Sequence, residues 1–173
     1  MKQKIAIQGI AGSFSHLASL KTFPDAEIKF CITFEEAFQL ATKNPDINLL
    51  CPCENTVAGR VPEFHSLLRR YSLQIYEEYF EKISHNLLAV KGAKLGSTIK
   101  KVHSHIHALG QCRKIIIEKK LKEVIESDTA FSAKYVSEKK DKSESAIGSD
   151  LAAKIYNLKI IKSNIEDEPG ANI

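Results

Sequence analysis

Short apolar runs alternate with segments of helical spacing along most of this 173-residue chain. KIAIQG (4–9) has the length and β-branched content of a buried strand, and SFSHLASLKTF (13–23) repeats apolar residues at helical intervals. EIKFCI (27–32) reads as the next strand. TFEEAFQLATK (33–43) reads as a helix opened by Thr33 with Glu36 three residues on, the pattern of a capping box. INLLCPCEN (47–55) follows as a strand and VPEFHSLLRRY (61–71) as a helix with Pro62 near its first position. LQIYEEYFEKISHNLLAV (73–90) is aromatic and β-branched, which predicts a longer extended stretch, and GAKLGST (92–98) a loop. The beat then resumes with strand KKVHS (100–104), helix HALGQCRKIIIEKK (107–120), strand KEVIES (122–127) and helix DTAFSAKYVSEK (128–139). Strand SAIGS (145–149), helix DLAAKIYN (150–157) and strand LKIIKSNI (158–165) complete it.

This alternation predicts an α/β protein with mostly parallel sheets. The regular beat stops near residue 77, which divides the chain into two lobes around a cleft. Residues 1–77 plus 157–173 are expected to form one lobe and 78–156 the other, with the chain crossing the hinge twice. No repeat of solenoid period and no low-complexity tract interrupts the pattern.

Composition narrows the partners. The longest apolar runs, such as LLAV at 87–90, are far too short to span a bilayer, so no membrane association is expected. The N-terminus MKQKIAIQG enters a strand without a secretory apolar core, which reads as a cytoplasmic protein. Net charge is +4, with Lys and Arg crowding the second half. These cations alternate with Glu and Asp and lack interleaved aromatics for base stacking, so they read as solvated helix ends and not as a nucleic-acid surface. Cys31, Cys51, Cys53 and Cys112 have neither a disulfide-permissive context nor a C-x-x-C spacing, and are expected to be small buried apolar groups at strand ends.

In open α/β sheets ligands bind beyond the carboxyl ends of the strands, where helices begin. Here those junctions are GIAGSFSH (9–16), CENTVAGRVP (53–62), SHIHALGQC (104–112), SDTA (127–130) and GSD (148–150). They are rich in glycine, hydroxyls and amides. Glycine lets backbone approach a ligand, and helix N-termini offer unpaired N–H groups with partial positive charge. Several such ends facing a cleft would suit a ligand with more than one carboxylate. Glu54-Asn55-Thr56 stands out, because a carboxylate and an amide before a glycine-bearing turn are poor structural filler. His103, His105 and His107 alternate as strand residues on one face would. The strand is expected to end at His103, so the three imidazoles diverge and no metal site is predicted. His16, His65 and His85 have no close Asp, Cys or His partners in sequence and read as surface or capping residues.

From end to end these junctions resemble the catalytic domain of prephenate dehydratase. GSFSH (12–16) is similar to the family's opening Gly-(Thr/Ser/Ala)-(Phe/Tyr)-Ser loop, and ENTVAGRV (54–61) to Glu-Asn-Ser-x-x-Gly-x-Val. SHIHALGQC is similar to Ser-His-Pro-x-Ala-Leu-x-Gln-Cys, DTAFSA (128–133) to Asp-Thr-Ala-Gly-Ser-Ala, and residues 146–167 to the family's tail. Thr56 replaces the commoner serine, Ile106 replaces proline and Phe131 replaces glycine. The family continues into Thr-Arg-Phe, whose threonine is regarded as central to catalysis; this sequence stops at Asn172-Ile173, before that motif and before any ACT domain, as a partial chain would.

The resemblance implies a two-lobed architecture like that of type II periplasmic binding proteins, closing by a hinge. It implies conversion of prephenate to phenylpyruvate with loss of water and carbon dioxide, in phenylalanine biosynthesis, without cofactor or metal, and assembly as a homodimer or homotetramer. Ser13, Asn55, Thr56, Gly59, Ser104, His105, Gln111, Thr129 and Ala130 are then the expected substrate-binding residues. Glu54 is the in-chain candidate for general acid, provided burial raises its pKa. Arogenate dehydratase and a non-catalytic aromatic-acid-binding module are the alternative readings.

Overall fold

The computed structural model describes residues 2–173. The chain divides into two compact units, one running to Glu81 and including Ile173, the other Lys82–Asn172.

In the first unit three parallel strands, β1 (Lys4–Gln8), β2 (Glu27–Cys31) and β3 (Ile47–Leu49), lie in the order β2-β1-β3. Ile5, Ala6 and Ile7 of the central strand are fully buried, as expected where helices cover a parallel sheet. Helix α1 (Phe14–Thr22) connects β1 to β2, and α2 (Phe34–Lys43) connects β2 to β3. α2 starts with a complete capping box: Thr33 Oγ1 accepts from Glu36 N–H, and Glu36 Oε2 accepts from Thr33 N–H. Thr33→Ala is expected to cost about 1 kcal/mol, read as a lower thermal midpoint with unchanged secondary structure. Phe38 of α2 packs against Phe64 and Leu67 of α3 (Pro62–Tyr71).

Two predicted strands are shorter than expected. Only Ile47–Leu49 of the 47–55 segment pairs with β1; Glu54–Asn55 (β4) instead pairs back on Gly59–Arg60 (β5) as a hairpin. Pro52, which has no N–H to donate to a ladder, lies between the two. Of the 73–90 stretch, only Asn86–Ala89 (β6) is a strand.

The second unit holds a five-stranded mixed sheet of β6, β7 (Lys101–Ser104), β8 (Lys122–Ile125), β9 (Glu144–Gly148) and β10 (Lys159–Lys162), in the order β10-β6-β9-β7-β8. β7 runs parallel to β8 and β9, whereas β6 is antiparallel to β9 and β10. Of residues 157–173, all expected in the first lobe, only Ile173 groups with it. β10 hydrogen-bonds to β6, and the chain through Asn172 belongs to the second unit. Adjacent strand residues serve opposite faces. Leu87 and Ile147 join Val102, Leu109, Ile115 and Ile116 in one core, while Leu88 and Ala146 join Ala133, Val136 and Leu158 in the other.

The predicted helix 107–120 is two helices, α4 (Ile106–Gln111) and α5 (Arg113–Glu118), broken at Cys112. Asp167 holds the break open: its N–H donates to Gln111 O (2.7 Å), and its Oδ1 accepts from Lys114 N–H (3.0 Å). α6 (Thr129–Lys139) and α7 (Asp150–Ile155) complete the unit.

Candidate active site

In the first unit, β1 ends in a glycine turn with Gly9 at φ 111° and Gly12 at φ 92°, a conformation costly for other residues. The turn feeds α1, which Ser13 caps by accepting from His16 N–H (3.2 Å). Gly12 N–H donates back to His16 Nδ1 (3.1 Å), so this histidine is a capping group, and burial lowers its pKa. The β4–β5 turn is shaped by Asn55, whose Oδ1 accepts from Val57 N–H (3.1 Å) and Ala58 N–H (2.8 Å), with Gly59 at φ 84°. Thr56 is tied to Ile173 twice: its N–H donates to Ile173 O (3.2 Å), and its Oγ1 accepts from Ile173 N–H (2.9 Å).

In the second unit the carboxyl ends of β7, β8 and β9 are laced together. Ser104 Oγ donates to Ile147 O (2.9 Å), and Ser104 O accepts from Glu126 N–H (2.9 Å). His105 caps α4, its Nδ1 accepting from His107 N–H (3.3 Å). Its pKa is lowered first by burial and then by His107, with Asp128 opposing. Asp128 caps α6, accepting from Ala130 N–H (2.7 Å) and Phe131 N–H (3.0 Å). Ser149 caps α7 by accepting from Ala152 N–H (3.0 Å). These caps place Thr129 and Ala130 beside the Ser104-His105 strand end.

A family profile for prephenate dehydratase matches residues 5–172, across both units. The chain belongs to the prephenate dehydratase family.

Among its relatives, the bifunctional N-acyl-homoserine lactone acylase/prephenate dehydratase of Komagataeibacter europaeus is 37% identical over 163 residues, which are 94% of this chain and 58% of that protein. The arogenate dehydratase/prephenate dehydratase 1 of Arabidopsis thaliana, a chloroplastic protein, is 38% identical over 96% of this chain and 42% of its own length. The crystal structure of prephenate dehydratase from Arthrobacter aurescens in complex with L-Phe superposes with a TM-score of 0.88 at 27% identity, covering 98% of this chain and 57% of that one. The chain thus spans about half the length of the curated relatives it matches.

Seen as a prephenate dehydratase domain, the chain places most of its expected site residues at the predicted strand ends. Ser13 lies after β1, and Asn55, Thr56 and Gly59 lie on the hairpin after β3. Ser104 and His105 lie at the end of β7, and Thr129 and Ala130 after β8. Three residues differ from expectation in detail. Glu54 is exposed, so the burial that the general-acid role requires is missing. Ser104 is fully buried with its hydroxyl proton given to Ile147, and Ala130 is fully buried. Gln111, at the end of α4, is gathered with residues that sequence reading passed over. His85, expected at the surface, is 3% exposed and stands 2.9 Å from Gln111 through Nε2, and Asn172 also reaches Gln111. The signal available for His85 was its place at the head of the apolar run NLLA, where a strand enters the core.

Of the three alternating histidines only His103 separates from the others, whereas His105 and His107 stay together, against expectation. His103 is buried between Glu126 (3.0 Å) and Glu144 (2.7 Å), while the His105 and His107 rings lie 5.0 Å apart at the start of α4. Among the described residues no group of three or more His, Cys, Asp or Glu is placed to hold a metal ion. Cys31, Cys51, Cys53 and Cys112 are free thiols; Cys31 and Cys112 are buried, but Cys53 is exposed, against expectation. No helix among the described residues is long and apolar enough to cross a membrane.

Proposed function

We propose that this chain carries out the decarboxylating dehydration of prephenate to phenylpyruvate. The bond from the ring to the hydroxyl breaks as that oxygen takes a proton and leaves as water. The bond from the ring to its carboxylate breaks, carbon dioxide departs, and the released electron pair completes the aromatic ring. The observation that carries the reading is the family match across both units, with the motif residues lying at strand ends beside capped helix N-termini. Such ends favour anions by roughly 0.3–1 kcal/mol each when exposed and more when buried. We assign Ser13, Asn55, Thr56, Gln111 and Thr129 to holding the two carboxylates and the hydroxyl, and Gly59, Ser104, His105 and Ala130 to shaping the loops that present them. Glu54 stays the in-chain candidate for general acid although it is exposed, and the threonine of the family's Thr-Arg-Phe motif is the alternative donor that the resemblance implies.

The test mixes prephenate with residues 1–173, and separately with the chain continued through Thr-Arg-Phe, and follows phenylpyruvate. Turnover only by the longer chain assigns the proton step to that threonine. Equal turnover by both returns the step to residues 1–173. Binding without turnover by either favours the binding-module reading and overturns the activity. Arogenate, run in parallel, decides between the two dehydratase substrates.

Two finer features belong to the same reading. Four free thiols suit the reducing cytoplasm. Exposed Ile75, Tyr76 and Phe80 offer apolar surface for a homodimer or homotetramer, which light scattering would detect as a mass of two or four chains.

A further inference from the structure

We infer that His85 is a positioning residue that fixes the Gln111 carboxamide with its oxygen inward, so that its NH2 serves as a hydrogen-bond donor to an anionic oxygen of the ligand. Only the identity of that ligand rests on the prephenate dehydratase reading; the orientation stands on the second unit alone.

Gln111 Oε1 lies 2.9 Å from His85 Nε2 and accepts from Asn172 Nδ2 at 2.5 Å. A carbonyl oxygen has two lone pairs, and Asn172 Nδ2–H together with a His85 protonated at Nε2 would fill them. Turning the carboxamide by 180° would set its NH2 against two other N–H groups, so the pair of donors selects one orientation. His85 is 3% exposed and Asn172 2%, so water cannot readily replace either. The same C-terminal segment grips the surrounding backbone. His85 N–H donates to Glu166 Oε2 (3.0 Å), and Gln111 O accepts from Asp167 N–H (2.7 Å). Gln111 itself is half-buried, and among the described residues its Nε2 has no hydrogen-bond acceptor.

The protonation of His85 agrees with this geometry. Burial pushes its pKa down, against the opposing pulls of the Gln111 bond and of Glu166. A neutral imidazole carries one N–H. With the Gln111 oxygen facing Nε2, the proposal requires that this hydrogen sit on Nε2. A glutamine fixed in this way is selective: it donates to a carboxylate or hydroxyl oxygen and offers a ligand donor nothing to bind.

Two measurements on the chain decide the matter. Long-range nitrogen–proton NMR, with the His85 signals assigned by their loss in His85→Gln, should show the Nε2–H tautomer; the Nδ1–H tautomer overturns the proposal. Titration with phenylpyruvate should show about tenfold weaker binding for Gln111→Met and for His85→Leu, the loss expected of one directed hydrogen bond. The double variant should bind no worse than Gln111→Met alone, because both changes remove the same donor. His85→Gln, which keeps an N–H to give, should recover most of the affinity. Additive losses, or no rescue by glutamine in a folded protein, overturn the positioning role. If the wild type shows the Nε2–H tautomer but no binding of phenylpyruvate, the orientation is supported and the ligand assignment fails.

Discussion

Replacing Glu144 with leucine is expected to lower stability at neutral pH by about 3 kcal/mol, read from urea unfolding, because it leaves a buried polar partner unsatisfied. Glu144 begins β9 with its side chain 1% exposed. Its carboxylate accepts from His103 Nε2 (2.7 Å) and Lys101 Nζ (3.0 Å), with Lys139 Nζ at 3.3 Å. The two lysines are partly exposed and would turn to water in the variant. His103 is enclosed, with the Tyr135 ring 4.9 Å away, and would keep only its bond to Glu126. Burial alone would raise the pKa of Glu144, but the bonds from His103, Lys101 and Lys139 outweigh it and hold the carboxyl at about 2. The folded value lies below the ordinary 4.5, so the contribution is present above about pH 4.5 and fades as pH falls toward about 2. The gap between wild type and Glu144→Leu should therefore narrow in acid. A gap that stays constant from neutral pH to about pH 2 would show that the cost is one of packing and not of the ionised network.

How much of this could be read in the sequence depends on how far each residue's partners lie along the chain. The Thr33–Glu36 capping box spans three residues and was legible outright. So was β1, where three consecutive apolar side chains mark a strand covered on both faces. The break at Cys112 was not legible, because the groups that open it belong to Asp167, more than fifty residues on. The placement of LKIIK was hidden for the same reason. The letters fit any strand, and only pairing with β6 assigns it to the second unit. At the site, the motifs located the strand ends correctly but not the state of each group. Ser104 looks like a donor to a ligand and gives its proton to Ile147; Glu54 looks like a buried acid and lies in solvent. His85 and Glu144, polar letters beside or within apolar strands, are buried because distant partners satisfy them.

The Asn55→Asp protein is expected to keep its thermal midpoint within a few degrees while losing about a hundredfold in kcat/KM for prephenate, the scale on which single positioned donors act. Asparagine at this position has two functions that an alanine would remove together. Its Oδ1 accepts from Val57 N–H and Ala58 N–H and so shapes the β4–β5 turn, and its amide is a candidate donor to substrate. Aspartate separates them. It has the same shape and still offers oxygen to both backbone N–H groups, and its charge strengthens those bonds. The remaining oxygen can no longer donate, and its negative charge repels a carboxylate. The hairpin is therefore retained while the proposed ligand contact becomes unfavourable. Asn55→Ala, by contrast, should lose activity and local stability together, since the turn bonds go with the amide. Two results would count against the assignment. Full activity in Asn55→Asp would mean that Asn55 serves the turn alone. A fall in thermal midpoint as large as that of Asn55→Ala would mean that the charge disrupts the hairpin, so that lost turnover says nothing about contact with substrate. A stable protein with a raised KM and a reduced kcat would place the amide of Asn55 against the substrate and set the β4–β5 turn within the binding surface of the first unit.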